Sequence, residues 1–287
     1  MRITIFLLWI FIILSVASCS KFAELQESKL DAGKQQTLWE IRYGRHTRHT
    51  LHIALPANRN DHTPVVIFIH GGAWMFGDKS VHIPEMEKFA KAGIACATIN
   101  YRFASDITGI HHPVLPNDIR AAIDFIASKA QRWGVSDHQF GLVGQSAGGH
   151  LALLTSYTLN QDKRIKACAS WAGVVNLLDS AQGAVVGADL VGKTYMGCPL
   201  KNATDTLRYK EASPYYMANN TSVATFLLHG TKDIAVPFSS VVLMQEQLTE
   251  LGVDNRMKVF NGGGHLWFGN DLEMARTLTI DWFKEKL

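Results

Sequence analysis

A serine lies between small residues in the sequence Gly144-Gln145-Ser146-Ala147-Gly148. The preceding residues, FGLV, are typical of a buried strand, and the following residues, GHLALL, are typical of an apolar helix. A G-x-S-x-G pattern at a strand-to-helix junction presents the serine hydroxyl on a sharp turn, clear of the sheet. The context therefore predicts that Ser146 is a nucleophile. The alternative is a glycine-rich turn without chemistry.

A serine hydroxyl is a weak nucleophile unless a general base lies beside it, and a carboxylate commonly orients that base. Of the histidines that follow the serine, His150 lies within the predicted helix and His229 ends a predicted strand. His265 follows three glycines on a loop after the last predicted strand, which suits a base that must reach across a sheet. Asp233 lies on the loop after the preceding predicted strand. We therefore predict His265 as the base and Asp233 as its orienting acid, with a structural histidine and a turn-capping aspartate as the alternatives.

A pair of glycines, Gly71-Gly72, follows another buried strand within the sequence HGGAW. Acyl transfer places negative charge on the carbonyl oxygen of the substrate, and backbone N–H groups must already point at that oxygen. Gly72 and Ala73 can supply two such groups with little obstruction by side chains, and Ala147, after the serine, can supply a third. We predict that these three residues form an oxyanion hole.

The elements that must position these residues alternate along the chain between apolar strands and amphipathic helices. Strands are predicted over 37–43, 49–55, 65–70, 94–100, 140–144, 165–171, 225–229 and 256–260, and helices over 84–92, 115–133, 147–159, 238–251 and 271–286. This alternation predicts an α/β fold with a mostly parallel sheet of about eight strands and helices on both faces. Residues 173–213 lack clear periodicity and are predicted to form a small cap-like insertion over the carboxyl ends of the strands.

The N-terminal residues have the pattern of an export signal. The apolar run over 3–14 is short for a membrane span, so residues 1–18 are predicted to be a signal peptide. The small residues before Cys19 resemble a bacterial lipobox, which predicts lipidation of this cysteine. We therefore expect an exported, membrane-anchored lipoprotein with a polar tether over 19–35 and a catalytic domain over 36–287. An ordinary cleaved signal or an uncleaved anchor is the alternative.

Composition excludes several classes of function. The formal charge is +3, from 28 basic and 25 acidic residues, and no run of Lys or Arg resembles a phosphate-binding stretch, so nucleic acid is not expected as a partner. His111 and His112 are adjacent, but no carboxylate or cysteine stands at ligand spacing, so no metal is expected. Cys96 and Cys168 lie in apolar segments typical of buried thiols. A pairing of Cys198 stays open.

Six segments occur in order over residues 65–268: HGGAWMFGDKS, NYRF, DIRAAIDFI, GQSAGGHLA, HGTKDIAVP and GGGHLWF. With them the chain resembles the esterase branch of the α/β-hydrolases, which contains bacterial acetyl-xylan and feruloyl esterases, hormone-sensitive-lipase-like carboxylesterases and, more distantly, kynurenine formamidases. The resemblance implies an α/β-hydrolase fold and assigns the family's triad and oxyanion donors to the residues named above. Ala73 departs from the pattern, since many relatives have a third glycine there.

The resulting hypothesis is a serine hydrolase that cleaves short-chain carboxylic esters, including acetyl or feruloyl esters of carbohydrates, without a cofactor. An amide or formamide hydrolase and a non-catalytic surface-anchored binding module are the alternatives. The aromatic residues Trp74, Tyr195, Tyr215 and Trp267 are candidates for stacking on a sugar or phenolic alcohol, and core packing is the other interpretation. The expected partners are a small ester and, through the lipid, a membrane. The sequence does not indicate the oligomeric state.

Overall fold

The computed structural model describes residues 24–179 and 194–287, and within them eight strands form one sheet. The strands are β1 (Gln36–Arg42), β2 (Thr50–Leu55), β3 (Val65–Ile69), β4 (Ala95–Ile99), β5 (Phe140–Gln145), β6 (Ile165–Trp171), β7 (Ala224–Gly230) and β8 (Asn255–Phe260). Their order is β1-β2-β4-β3-β5-β6-β7-β8. β2 pairs antiparallel with β1 and β4, and the other neighbours are parallel. The predicted mostly parallel sheet is confirmed.

The described helices agree with the predicted ones to within two residues where a helix was predicted. They are α1 (Ile83–Lys91), α2 (Val114–Trp133), α3 (Ala147–Thr158), α4 (Ala203–Glu211), α5 (Pro214–Met217), α6 (Phe238–Glu250) and α7 (Gly269–Lys286), with a 3-10 turn at Lys79–His82. α4 and α5 were not predicted. α4 is polar and buries only Tyr209, so it lacks the apolar stripe by which a helix is recognised in sequence.

Two separate apolar clusters cover the two faces of the sheet. On β3, Val65, Ile67 and Ile69 belong to the first cluster, which also contains residues of α2, α3 and α6. Val66 and Phe68 belong to the second, together with residues of α1 and α7. Because side chains alternate along a strand, a strand that is covered on both faces must be apolar throughout, as β3 is.

The parallel strands bring four loops to one edge of the sheet. The loops after β3, β5, β7 and β8 contain, respectively, residues 70–77, Ser146, Asp233 and His265. Because these strands run in the same direction, their carboxyl ends lie together, although the residues that follow them are up to about 195 positions apart in the chain.

Residues 24–35, expected to be part of a tether, lie against the domain. The side chain of Gln26 bonds to the backbone of Trp39 at 2.7 and 3.0 Å. The Glu27 carboxylate accepts a hydrogen bond from Trp133 Nε1 at 3.0 Å and lies 2.9 Å from Arg132 Nε. This part of the predicted tether is therefore attached to α2.

Some predictions fall outside the described residues. These are the signal peptide over 1–18, the lipidated Cys19 and residues 180–193 of the predicted cap. Within 24–179 and 194–287, no helix combines the length and apolarity needed to cross a membrane.

Candidate active site

Ser146 occupies a strained turn between β5 and α3. Its backbone has φ 55° and ψ −122°, a conformation that L-residues rarely adopt. A side chain at Gly144 would collide with the backbone of Gly148, and one at Gly148 would collide with the carbonyl oxygen of Ile69. Glycine at both positions therefore lets α3 approach the sheet closely enough to form the turn.

Ser146, His265 and Asp233 form a continuous chain of hydrogen bonds. The distance from Ser146 Oγ to His265 Nε2 is 2.9 Å, and that from His265 Nδ1 to Asp233 Oδ2 is 2.8 Å. A carboxylate can only accept, so Nδ1 carries the hydrogen and Nε2 is free to accept from the serine hydroxyl. The arrangement can remove a proton from Ser146 and hold it on the imidazole.

Asp233 is buried and held by more than the imidazole. Its Oδ1 accepts hydrogen bonds from the amides of Ala235 and Val236 at 2.8 and 2.9 Å. Burial alone would raise the pKa of Asp233, but the hydrogen bonds from His229, His265 and Val236 outweigh it and hold the pKa well below its usual range. The acid is therefore ionised at neutral pH, as an orienting carboxylate must be.

His229, which we did not select as the base, contacts Asp233. Its Nε2 lies 2.9 Å from the Val236 carbonyl oxygen and 3.2 Å from Asp233 Oδ2. Since both neighbours are acceptors, Nε2 carries the hydrogen and donates to them. The sequence analysis missed this contact. The spacing of four residues within HGTKD was the available signal.

The loop after β3 has an unusual backbone. Gly72, Ala73 and Trp74 all have positive φ, at 116°, 50° and 62°. The carbonyl of Gly72 accepts from two amides further along the loop, whereas the amides of Gly72 and Ala73 donate no backbone hydrogen bond within the described part of the chain. Ala147 is the first residue of α3, where an amide has no partner within the helix. These three residues line the cavity that also contains Ser146.

Trp74 holds the strained loop in place through buried contacts. Its indole Nε1 donates to His150 Nδ1 at 3.2 Å, and its ring stacks on Tyr195 at 4.7 Å. His150 in turn donates from Nε2 to the Ala212 carbonyl at 2.8 Å. These contacts offset the cost of the left-handed conformation that Ala73 adopts.

Arg48, from the hairpin between β1 and β2, holds the same loop from the other side. It donates from Nε to the Tyr101 carbonyl at 2.7 Å and from Nη2 to the Gly77 carbonyl at 3.1 Å. Nη2 also lies 3.3 Å from His70 Nε2, while His70 Nδ1 lies 2.7 Å from the Gly71 carbonyl. Burial lowers the pKa of His70 to about 4, so the ring is neutral, donating to Gly71 and accepting from Arg48. No local pattern in the sequence indicated Arg48.

A cavity of about 510 Å³ opens beside Ser146 and His265. It is also lined by Phe76, Val81 and Leu266, which the sequence analysis did not identify. No Asp, Glu, Lys or Arg of the described residues belongs to this lining. The cavity therefore suits an uncharged ligand.

The expectation for the four aromatic residues needs correction. Of them, only Trp74 lines the cavity. Tyr195 is buried beneath Trp74, and Trp267 packs on Phe260 with ring centroids 4.5 Å apart. Tyr215 is half-buried, and its backbone bonds to neighbouring elements. Large aromatic rings gain more by leaving water than by facing it, so Tyr195, Tyr215 and Trp267 contribute to packing rather than to the cavity wall.

The described residues contain neither a cluster of side chains that could hold a metal ion nor a disulfide. No group of three metal-ligating side chains is present in 24–179 and 194–287. The adjacent histidines contact protein groups instead: His111 lies against the Thr194 carbonyl and His112 against the Tyr195 hydroxyl. Cys96, Cys168 and Cys198 are free thiols.

Comparison with known proteins assigns the family. The BD-FAE family model matches residues 51–248, which is more than half of the chain. The chain belongs to the BD-FAE family. This confirms the resemblance to α/β-hydrolase esterases.

Two curated relatives are similar to this BD-FAE chain. A probable isoprenylcysteine alpha-carbonyl methylesterase ICME of Oryza sativa subsp. japonica is 26% identical, over 80% of this chain and 58% of the relative. The probable carboxylic ester hydrolase LipM of Mycobacterium tuberculosis is 28% identical, over 66% of this chain and 45% of the relative. The chain thus spans about half the length of the curated relatives it matches.

Two solved structures share the fold. A truncated form of a carbohydrate esterase from gut microbiota has a TM-score of 0.76 at 21% identity and covers 90% of this chain and 98% of that one. A thermophilic esterase from Thermogutta terrifontis, Est2 with propionate bound, has a TM-score of 0.68 at 22% identity, over 90% and 94% of the two chains. These structures confirm the α/β-hydrolase fold.

The buried histidines behind the loop predict how stability depends on pH. Burial lowers the pKa of His70 to about 4 and that of His150 to about 3. The unfolded chain takes up a proton at each near pH ~6.5, but the folded protein does not, so acidification favours unfolding. We expect the free energy of unfolding to fall between pH ~6.5 and ~4.5 by up to roughly 1.4 kcal/mol per pH unit for each histidine. Urea unfolding at several pH values measures this slope.

Two variants control the measurement. His150→Gln keeps a donor and an acceptor but cannot titrate, so its slope should be smaller. His62→Asn changes a side chain that is 82% exposed and should leave the slope as in the wild type. Asp233 affects the free energy of unfolding only at lower pH. Its lowered pKa stabilises the folded protein, and this contribution is lost as the carboxylate of the unfolded chain takes up a proton below pH ~4. An unchanged slope in His150→Gln would contradict the assignment.

Proposed function

We propose that this chain is a carboxylic ester hydrolase that forms an acyl-enzyme on Ser146. The observation that carries the proposal is the hydrogen-bond chain from Asp233 through His265 to Ser146, at 2.8 and 2.9 Å, beside a cavity lined by unpaired amides. Membership of the BD-FAE family and the names of the relatives support the same reaction class.

Each group has one role in the proposed reaction. Ser146 Oγ attacks the carbonyl carbon of the ester while His265 Nε2 takes the hydroxyl proton. The amides of Gly72, Ala73 and Ala147 donate to the oxyanion that forms. As the bond from carbon to the leaving oxygen breaks, His265 returns the proton to that oxygen and the alcohol departs. Water then attacks the acyl-enzyme by the same steps, which releases the acid and restores Ser146.

Asp233 stabilises the imidazolium without taking its proton. The carboxylate accepts from Nδ1 and so keeps Nε2 directed at Ser146. The low pKa of Asp233 means that this role persists at mildly acidic pH.

Within this class we propose short acyl groups as the preferred substrates. Acetyl or feruloyl esters of carbohydrates are candidate substrates to be compared with simple alkyl esters, because of the resemblance and because one structural neighbour is titled a carbohydrate esterase. An amide or formamide hydrolase is the alternative reaction, and loss of chemistry with retention of binding is the alternative function. A panel of acetylated and feruloylated oligosaccharides, simple alkyl esters and formanilides compares these possibilities. Lipidation of Cys19 in an exported protein remains our proposal for membrane attachment.

Removal of the nucleophile or the base tests the proposal directly. Ser146→Ala and His265→Ala should each lower kcat for p-nitrophenyl acetate by roughly 10⁴-fold, because either change ends general-base activation of the serine. Asp233→Asn should cost less, since serine and base stay in place. Circular dichroism should show an intact fold in each variant. Asp254→Asn, on a surface turn, is the matched control, and full activity in Asp233→Asn would contradict the assignment of the acid.

Arg48 should act on the rate through the loop that it holds. Arg48→Met removes the hydrogen bonds to Gly77 and Tyr101 and should lower kcat about ten- to hundred-fold through misplacement of the oxyanion donors. KM should change little, because those donors act mainly in the transition state. Arg45→Met, at an exposed position of the same hairpin, is the control. A raised KM with an unchanged kcat would mean that Arg48 contacts substrate instead.

The length of the acyl chain separates a short-chain esterase from a lipase. A lipase buries a long acyl chain in a broad apolar groove and gains ~0.8 kcal/mol per methylene. The predicted cap has few large aliphatic residues in succession. With p-nitrophenyl esters from C2 to C12, we therefore expect the highest kcat/KM at the shortest acyl groups. A maximum at C8 or longer would contradict the proposal.

A further inference from the structure

Five large apolar side chains are exposed in or next to the segments that line the cavity. Their exposed fractions are 65% for Phe76, 61% for Val81, 77% for Ile234, 54% for Leu266 and 74% for Phe268. We call them the apolar collar. A single exposed apolar side chain is ordinary, but a group of them around a concave site marks a surface that contacts an apolar ligand.

The collar is continuous with the site. Phe76, Val81 and Leu266 line the cavity that contains Ser146. Ile234 immediately precedes Ala235, which also lines it, and Phe268 lies two residues beyond Leu266. Val81 lies in the 3-10 turn Lys79–His82, and the other four side chains come from the loops that carry the proposed oxyanion donors, acid and base. A ligand bound at Ser146 therefore meets the collar as it extends toward solvent.

The proton transfer from His265 determines where the alcohol portion of the ester lies relative to the collar. The leaving oxygen must lie within hydrogen-bond distance of His265 Nε2 to receive its proton, so the alcohol portion lies on the side of His265. Leu266 follows this histidine directly, and Ile234 follows Asp233, which binds its other nitrogen at 2.8 Å. The alcohol portion therefore lies toward Leu266, which lines the cavity, and toward the loops that expose Ile234 and Phe268.

We infer that the collar selects esters of apolar, uncharged alcohols over esters of sugar hydroxyls, an inference that rests on the proposed ester hydrolysis. An alkyl alcohol gains free energy when it covers these side chains, because both surfaces leave water. A sugar ring at the same place would bring some of its hydroxyls against Leu266, which offers no hydrogen bond, and would lose hydrogen bonds to water without replacement. No Asp, Glu, Lys or Arg belongs to the described lining, so a charged alcohol would have no ionic partner there.

A series of acetates with a constant acyl group tests the inference. Ethyl, butyl and hexyl acetate have leaving groups of similar basicity, so their rates differ through binding of the alcohol portion. We expect kcat/KM, measured by acid release in a pH-stat, to rise about tenfold from ethyl to hexyl acetate, the factor that corresponds to half-burial of one large apolar group. Monoacetylated methyl glucoside should be hydrolysed more slowly than hexyl acetate.

Variants of the collar isolate its contribution. Leu266→Ser and Phe268→Ser should reduce the ratio of kcat/KM for hexyl acetate to that for ethyl acetate. Leu207→Ser is the matched control, because Leu207 on α4 has the same residue type and a similar exposure, 57% against 54%, but does not line the cavity. Its ratio should equal that of the wild type. Because these side chains are exposed, the variants should fold, and the ratio is independent of the active fraction of each preparation.

Several outcomes would overturn the inference. A ratio near one in the wild type, an equal ratio in Leu266→Ser and Leu207→Ser, or faster hydrolysis of the acetylated glucoside would each do so while leaving ester hydrolysis in place. A dimer that dissociates in Phe268→Ser, or binding to phosphatidylcholine vesicles that is lost in Phe268→Ser, would assign the collar to a second copy or to a lipid surface and overturn the inference. No turnover of any acetate would overturn the proposed function and the inference with it.

Discussion

The close approach of α3 to the carboxyl end of β3 is the constraint on which the site depends. The helix can come near only because Gly148 has no side chain to meet the carbonyl of Ile69 and Gly144 has none to meet the backbone of Gly148. This approach forces the left-handed backbone of Ser146 and lifts its hydroxyl clear of the sheet. The energetic cost of the strained turn is offset by packing in the apolar clusters on the two faces of the sheet, which hold helix and strand in place.

The loop after β3, beside Ser146, also has a strained backbone, but it is stabilised in a different way. Ala73 and Trp74 have positive φ although neither is glycine, so the conformation must be stabilised from outside the loop. α3 provides His150 for the indole of Trp74, and the first hairpin provides Arg48 for the Gly77 carbonyl. The hydrogen bond between Trp74 and His150 is buried and so fixes one arrangement, because any other would leave these groups unpaired in an apolar environment.

The site consists of a buried polar part, which has a fixed geometry, and an exposed apolar part, which can contact a ligand. Asp233 is buried and ionised, with His229 and two amides as partners, so the ring of His265 that it binds is held in one orientation. The same loops, by contrast, expose apolar side chains such as Ile234 and Phe268. The fixed polar groups therefore suit a reaction at one carbonyl group. The apolar collar, in our inference, affects which ester binds there.

The sequence by itself determined the alternation of strands and helices and the candidates Ser146, Asp233 and His265, because periodicity and turn residues are local properties. Helix α4 was not predictable, since it lacks an apolar stripe. Nor were the contacts of Arg48, or the packing of Tyr195 and Trp267 away from the cavity. A long polar or aromatic side chain has the same local signature whether it faces a substrate or a neighbouring element. Only the tertiary structure decided this, because the order of the strands determines which loops meet at the edge of the sheet.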